Sequence, residues 1–239
     1  MDPALLELIA AGAPGDEVAV IVRLKEGRDP PPGLRTIARF GTIATARAQR
    51  GHLAAIHAHP DIRSLKAPRV YSWEREDADD DGPGISEADP DPVASDLRRP
   101  RNLAETGEGT VVCIIDWGLD FAHPDFRRAD GSTRVLALWD QRAKDSSQPY
   151  GYGRIHRSAE IDRALSSDDP FSALGYRPAA DARPSHGTHV AGIAAGNGRA
   201  GGPQGLAPEA DLIFVHLGPG SGDLGNSIDL LEAVHFAAV

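Results

Sequence analysis

VVCIIDWGLDFAHPDF (111–126) is the stretch whose reading decides the fold of this 239-residue chain. It opens on an unbroken apolar run, the pattern of a strand buried on both faces in a parallel sheet. The run ends in one carboxylate, Asp116, followed after one residue by Gly118. In open α/β sheets active groups gather at the carboxyl ends of strands, and Asp116 stands at such an end. A second stretch, SHGTHVAGIAAG (185–196), reads as a helix of small residues that opens on His186. A carboxylate can accept a hydrogen bond from a neutral imidazole, fix its tautomer and steady the imidazolium once it forms. The positive end of a helix disfavours a charged imidazole, and a neutral resting histidine is what a general base requires. Asp116 and His186 are therefore the candidate acid–base pair. Either residue alone would read as an incidental polar group.

Around this pair the chain organises as an α/β protein. RVLALWDQ (134–141) and DLIFVHL (211–217) read as further buried strands, SAEIDRALSS (158–167) as a helix, and SIDLLEAVHFAAV (227–239) as an amphipathic helix. The alternation predicts a parallel sheet with helices on both faces. Upstream lies a small α+β unit over 1–73. It has a helix at 3–11 capped by Asp2, a strand at 17–24, a stretch at 34–50 that fits strand or helix, a short helix at 51–58 and a strand at 62–73. Residues 74–106 are acidic and rich in Pro and Gly, the composition of a solvated linker. The second unit runs over 107–239. Its last helix reaches Val239 without a closing Gly, Asn or basic turn, so this unit reads as the N-terminal half of a larger domain. On that reading the strand at 111–116 lacks one neighbour and offers an edge for association.

Bulk properties exclude several classes. The formal charge is −10, with 35 acidic residues against 25 basic ones. Nucleic-acid and anionic-membrane binders need basic patches, so neither partner is expected. One cysteine, Cys113, leaves no disulfide framework and no cysteine-based zinc site. It lies inside the apolar strand and reads as a small buried hydrophobe. No run approaches the ~20 apolar residues that span a bilayer. The N-terminal segment carries acids where a secretory signal carries positive charge, which predicts a cytoplasmic protein, with secretion the alternative.

DWGLDFAHPDF and HGTHVAGIAAG together resemble the aspartate and histidine motifs of the subtilisin-like serine proteases, and GLAPEADLIFVHL (205–217) is similar to the segment that follows. The resemblance covers about 107–239. It implies Asp116 as orienting acid, His186 as general base, a polypeptide substrate, and a serine nucleophile in a later motif. It also implies that Gly220, Ser221 and Gly222 belong to a strand that binds substrate backbone. DGSTRVLALWDQ and YGRIHRSAEIDRAL resemble an insertion of a bacterial subset that includes the spore-germination type. There a domain like 1–73 precedes the catalytic one and can act as a folding aid or intramolecular inhibitor.

The chain departs from that pattern. Trp117 stands where the family has Ser or Thr, so its ring must pack beside Asp116. Neither the nucleophile motif nor the oxyanion Asn motif is present. Ser227 opens the last helix and reads as an N-cap. The resemblance makes His189 structural. A metal on His186 and His189 would need Asp181 or His216 as third ligand, with no motif to support it. Asp125 matches a position that ligates calcium in some relatives, but Arg199 in the accompanying loop opposes a cation there. No cofactor is expected, with calcium the alternative. Three readings follow: a subtilisin-type endopeptidase, a non-catalytic regulatory module on the same scaffold, and a metal hydrolase.

Overall fold

The computed structural model of the chain describes residues 2–72, 103–178, 186–218 and 223–239. Helix α1 (Pro3–Ala10) starts where expected: the Asp2 side chain accepts the Ala4 N–H, and Pro3 needs no donor in the first turn. Strand β1 (Glu17–Leu24) alternates, with Val18, Val20, Val22 and Leu24 buried. The ambiguous stretch resolves as two strands, β2 (Arg35–Phe40) and β3 (Ile43–Gln49). Gly41, with φ of 59°, makes the turn between them. A 3₁₀ turn, Arg50–His52, leads into the short helix α2 (Leu53–His57). The single strand expected over 62–73 is two, β4 (Ile62–Lys66) and β5 (Val70–Ser72).

The apolar run forms β6 (Val111–Asp116). β7 (Val135–Asp140) and β8 (Arg154–Arg157) follow, the latter not foreseen from its alternating charges. Helices α3 (Ser158–Leu165), α4 (Pro170–Leu174) and α5 (His186–Ala195) precede β9 (Asp211–His216). β10 (Asp223–Asn226) and α6 (Ser227–Ala238) complete the order. Ser227 does not cap α6. Asn226 does, accepting the Ile228 and Asp229 N–H groups, because its carboxamide reaches the first turn from extended backbone.

The described residues fall into two units. The first holds those up to Ser72, Lys144–Gly153 and Leu217–Val239. Its main sheet has the order β2-β3-β1-β4, with each neighbouring pair antiparallel. Leu5, Val20, Val22, Leu24, Leu53 and Leu65 form its core. Each such side chain contributes about 1.5–3 kcal/mol when fully buried. Helix α6 packs against β1, β2 and β3. At that contact Arg47 of β3 meets Glu232 of α6 in a two-pronged pair at 2.9 and 3.1 Å. The Glu232 side chain is wholly buried and that of Arg47 is 12% exposed. Burial raises the pKa of the neighbouring Asp229 carboxyl, and the Glu232 charge adds to the rise. A second, two-stranded sheet pairs β5 with β10, antiparallel, with Ser72 opposite Asp223 and Val70 opposite Asn226.

The second unit takes the remaining described residues, up to Ala143 and Arg154–His216. Its sheet runs β6-β9-β7-β8. The first three strands are parallel and β8 is antiparallel to β7. This is the α/β class that the alternation predicts. β6 ends the sheet, its outer edge meeting no strand among the described residues, and Val111 there is half exposed. Ile114, Leu138, Phe121, Phe126 and Phe214 share one core with Ile161 of α3 and Ala191 and Ala195 of α5. Cys113 is half-buried, and burial pushes its thiol up to about 11, so it stays protonated and inert.

At the amino end of this sheet Arg134 is buried, yet it has no carboxylate in its hydrogen bonds. Its guanidinium donates instead to four backbone carbonyls. They belong to Asp125 at 2.9 Å, Ala195 at 2.8 Å, Ala210 from Nε at 3.1 Å, and Ala207 at 3.5 Å. A second bond runs from Nη2 to the Ala210 oxygen. One side chain thus ties the loop after β6, the end of α5 and the start of β9 together.

Two outcomes follow for stability. Arg134→Met leaves those carbonyls without their donor and is expected to cost on the order of 3 kcal/mol or more in urea unfolding. Glu232→Gln leaves Arg47 as an uncompensated, largely buried charge and is expected to cost about 3–5 kcal/mol on the same scale. A variant within about 0.5 kcal/mol of the parent, the size of a neutral surface change, would contradict the corresponding assignment.

Candidate active site

Parallel pairing aligns the carboxyl ends of the strands. Asp116 of β6 is in register with His216 of β9, and His216 with Asp140 of β7. Polar groups at that level are buried enough to need partners. Asp140 takes Arg142, whose Nε and Nη2 donate to its two oxygens at 2.9 and 3.1 Å. Asp116 takes the His186 ring, Nδ1 lying 2.7 Å from Oδ1 and 2.9 Å from Oδ2. The Trp117 N–H also donates to Oδ1, at 2.6 Å. The Asp116 side chain is 13% exposed and the His186 side chain 58% exposed, so the carboxylate is walled in while the imidazole faces out. A carboxylate on Nδ1 keeps the proton there and leaves Nε2 as the basic nitrogen.

The approach between the two motifs depends on glycine at two positions. Gly118 has φ of 66°, a left-handed conformation that lets the chain turn directly after the strand. A Cβ on Gly187 would meet the Gly118 carbonyl oxygen and the Phe214 ring, each at 2.5 Å. Only hydrogen at that place lets the first turn of α5 sit on the loop. Contact is then fixed by two hydrogen bonds: Gly187 N–H to the Trp117 carbonyl at 2.9 Å, and Asp120 N–H to the Thr188 hydroxyl at 2.7 Å. The Trp117 ring lies tilted beside the His186 ring, centroids 6.1 Å apart at 58°.

Behind the loop, the Leu119 N–H donates to the Tyr176 hydroxyl at 2.9 Å, and that hydroxyl meets His216 Nδ1, also at 2.9 Å. Burial, with Arg142 adding to it and Asp140 opposing, holds the His216 imidazole down at about 3, so it is neutral near pH 7. Burial likewise pushes the Tyr176 hydroxyl up, so it keeps its proton. Sequence reasoning passed over Tyr176 and Thr188. Thr188 lies inside the histidine motif but its hydroxyl carries no signature there, and Tyr176 belongs to no motif although it stands ten residues before His186.

The other expected residues fall as follows. Gly220, Ser221, Gly222 and Asp181 lie outside the described residues. His189 is exposed on α5, and His216 faces Tyr176 rather than His189. Among the described residues no three His, Cys, Asp or Glu side chains come together as a ligand set. His123 accepts the Asp125 N–H at 3.2 Å through Nδ1 and so braces the turn at Pro124. The Asp125 carboxylate is buried and accepts the Ala200 N–H at 2.8 Å. The carbonyls of Asp125, Ala195, Ala207 and Ala210 receive the Arg134 guanidinium. Those oxygens already serve a fixed cation, the guanidinium of Arg134. Arg134 lies 65 positions before the Arg199 that sequence reasoning singled out; Arg199 itself is exposed, its N–H on the Asn197 side chain.

A sequence model of the subtilase family matches residues 107–238. Over 128 residues the chain is 32% identical to a PII-type proteinase of Lacticaseibacillus paracasei, covering 48% of this chain and 6% of that protein. Over 133 residues it is 33% identical to the minor extracellular protease Vpr of Bacillus subtilis, covering 55% of this chain and 13% of that one. It is also similar to the solved CspB protease of Clostridium perfringens, with 30% identity, a TM-score of 0.46, and coverage of 57% of this chain and 27% of that one. The chain thus spans a small part of the length of the curated relatives it matches. The match takes in both motifs and more than half of the residues, and on that ground the chain belongs to the subtilase family.

Proposed function

We propose that this chain carries the acid–base half of a subtilisin-type serine endopeptidase. Asp116 orients His186, and His186 takes the proton from a serine hydroxyl as that serine attacks a peptide carbonyl. On this reading the serine and its oxyanion donors come from outside these 239 residues, in which neither motif occurs. The observation that carries the reading is the 2.7 Å contact from His186 Nδ1 to a carboxylate that is nearly closed off from water. Family membership supports a polypeptide substrate. The regulatory-module reading keeps the scaffold without the serine and predicts no covalent labelling at all.

The pairing of β5 with β10 supports a second element of the same reading. Residues 223–226 accept an extended segment, Val70–Ser72, as an added strand. Arg69 and Ser227 anchor it by two bonds, Ser227 N–H to the Arg69 carbonyl at 2.9 Å and Arg69 N–H to the Ser227 hydroxyl at 3.0 Å. Strand addition is how extended peptides bind sheet edges. On this reading the N-terminal domain is an intramolecular inhibitor that holds the place of substrate. Among the described residues no helix is long and apolar enough to cross a membrane. A cytoplasmic location, expected from the N-terminal residues, finds no support among the relatives. The similarity to an extracellular protease favours secretion.

A fluorophosphonate probe and a chromogenic peptide test the first element on the intact gene product. Labelling and hydrolysis are expected, and Asp116→Asn or His186→Ala should lower kcat about 10³-fold or more. Hydrolysis that is abolished by a chelator and insensitive to the fluorophosphonate would favour the metal-hydrolase reading. For the second element, Arg69→Pro removes one anchoring donor and is expected to lower the apparent KM for the peptide several-fold. An unchanged KM would show that the Val70–Ser72 strand does not compete with substrate.

A further inference from the structure

The Asp116–His186 pair sits on a loop that is suspended from a third place in the chain. We propose that Tyr176, backed by His216, is a positioning residue for this pair: its hydroxyl fixes the Trp117–Asp120 loop and with it the carboxylate at the end of β6. The proposal rests on the general-base reading given above.

The bonding leaves little freedom. Tyr176 is 1% exposed, and its hydroxyl has one proton to give. The oxygen already accepts the Leu119 N–H, so the proton goes to His216 Nδ1. His216 must then present a lone pair at Nδ1 and carry its own proton on Nε2. A direction is thereby set along the whole relay, from Leu119 N–H to the tyrosine oxygen and from the tyrosine proton to the imidazole. His216 is itself the ladder partner of Asp116 on the adjacent strand. The loop that leaves β6 at Asp116 is thus tied back to the same level of the sheet from which it departs. The ring so closed is short: Asp116, the loop to Leu119, Tyr176, His216 and the β6–β9 ladder.

The tyrosine is itself held from several sides. Helix α4 ends at Gly175, whose φ of 72° turns the chain so that Tyr176 enters the core. Arg142 lies over the ring at 5.8 Å, fixed in turn by Asp140 and by the Arg177 carbonyl at 2.7 Å. The Phe121 and His216 rings flank it, centroids 6.1 and 5.8 Å away. A side chain needed only to fill space would not require its hydroxyl. Here the hydroxyl joins two groups, one from each strand connection beside the acid–base pair.

The test is Tyr176→Phe, which keeps the ring and the Arg142 contact and removes only the hydroxyl. In the intact gene product kcat is expected to fall about 10-fold with KM within about twofold, since a small displacement of the reacting groups is costly. In the 239-residue chain, histidine nitrogen NMR is expected to show a weakened His186 Nδ1–H signal, because a displaced carboxylate holds that proton less firmly. His216→Gln, which supplies an acceptor oxygen, should keep kcat near the parent's, whereas His216→Leu should lower it. A folded Tyr176→Phe protein with parental kcat and an unchanged His186 Nδ1–H signal overturns the proposal. Should Tyr176→Phe fail to fold, equal rates and equal His186 Nδ1–H signals for His216→Gln and His216→Leu overturn it instead. Asp116→Asn separates the two levels. If that variant keeps the parental rate, the general-base reading fails, and the His186 Nδ1–H signal still judges the role of Tyr176. If Asp116→Asn is inactive and Tyr176→Phe is unimpaired, only the positioning role fails.

Discussion

Parallel pairing of β6, β9 and β7 is the constraint on which the rest of the second unit depends. It brings Asp116, His216 and Asp140 to one level at the carboxyl ends of the strands. Polar side chains gathered there are too enclosed to rely on water, so each must be satisfied by a group brought from elsewhere. Asp140 is met by Arg142, His216 by Tyr176, and Asp116 by His186. The result is a row of three polar pairs, of which the last has the most exposed partner. An exposed imidazole and an enclosed one thus stand at neighbouring strand ends, and the difference between them is enclosure. His216 is kept neutral by burial, whereas His186 is more than half exposed.

The opposite end of the same sheet is organised by a cation. Arg134 gathers carbonyl oxygens from three chain segments, a task that oxygen-rich loops often give to a metal ion. A guanidinium suits such a place, because its donors are fixed in a plane and its charge does not depend on pH. In the first unit Arg47 plays a related part toward Glu232, where both prongs of the guanidinium meet a carboxylate that is wholly buried. In both units, then, an arginine placed inside the fold joins elements far apart in sequence. Removing either one strands polar groups that have no route to water.

Much of this was legible in the residues. The apolar run at 111–116 and the alternation in 17–24 are unambiguous, because burial on two faces and on one face leave different periods. The stretch at 34–50 was not legible: Thr, Ala and Arg in short alternation suit either period, and pairing with β1 decides for strand. Residues 62–73 looked continuous, yet β4 and β5 are separate strands in separate sheets. The Ser227 cap was misplaced by one residue, since Asn and Ser both cap and only the backbone angle at Asn226 tells them apart. The Arg134 cation escaped notice because its partners are main-chain oxygens, which carry no sequence signature.

From residues alone came the class of the fold and the membership of Asp116 and His186 in one motif pair. These are local matters of hydrophobic period and side-chain chemistry. Tertiary structure alone decided that Tyr176 would reach His216 and the Leu119 amide, that Arg134 would hold four carbonyls, and that Arg47 would find Glu232. Those partners are distant along the chain and chemically ordinary. Their pairing follows from burial, which compels every enclosed polar group to bond with whatever the fold brings within reach.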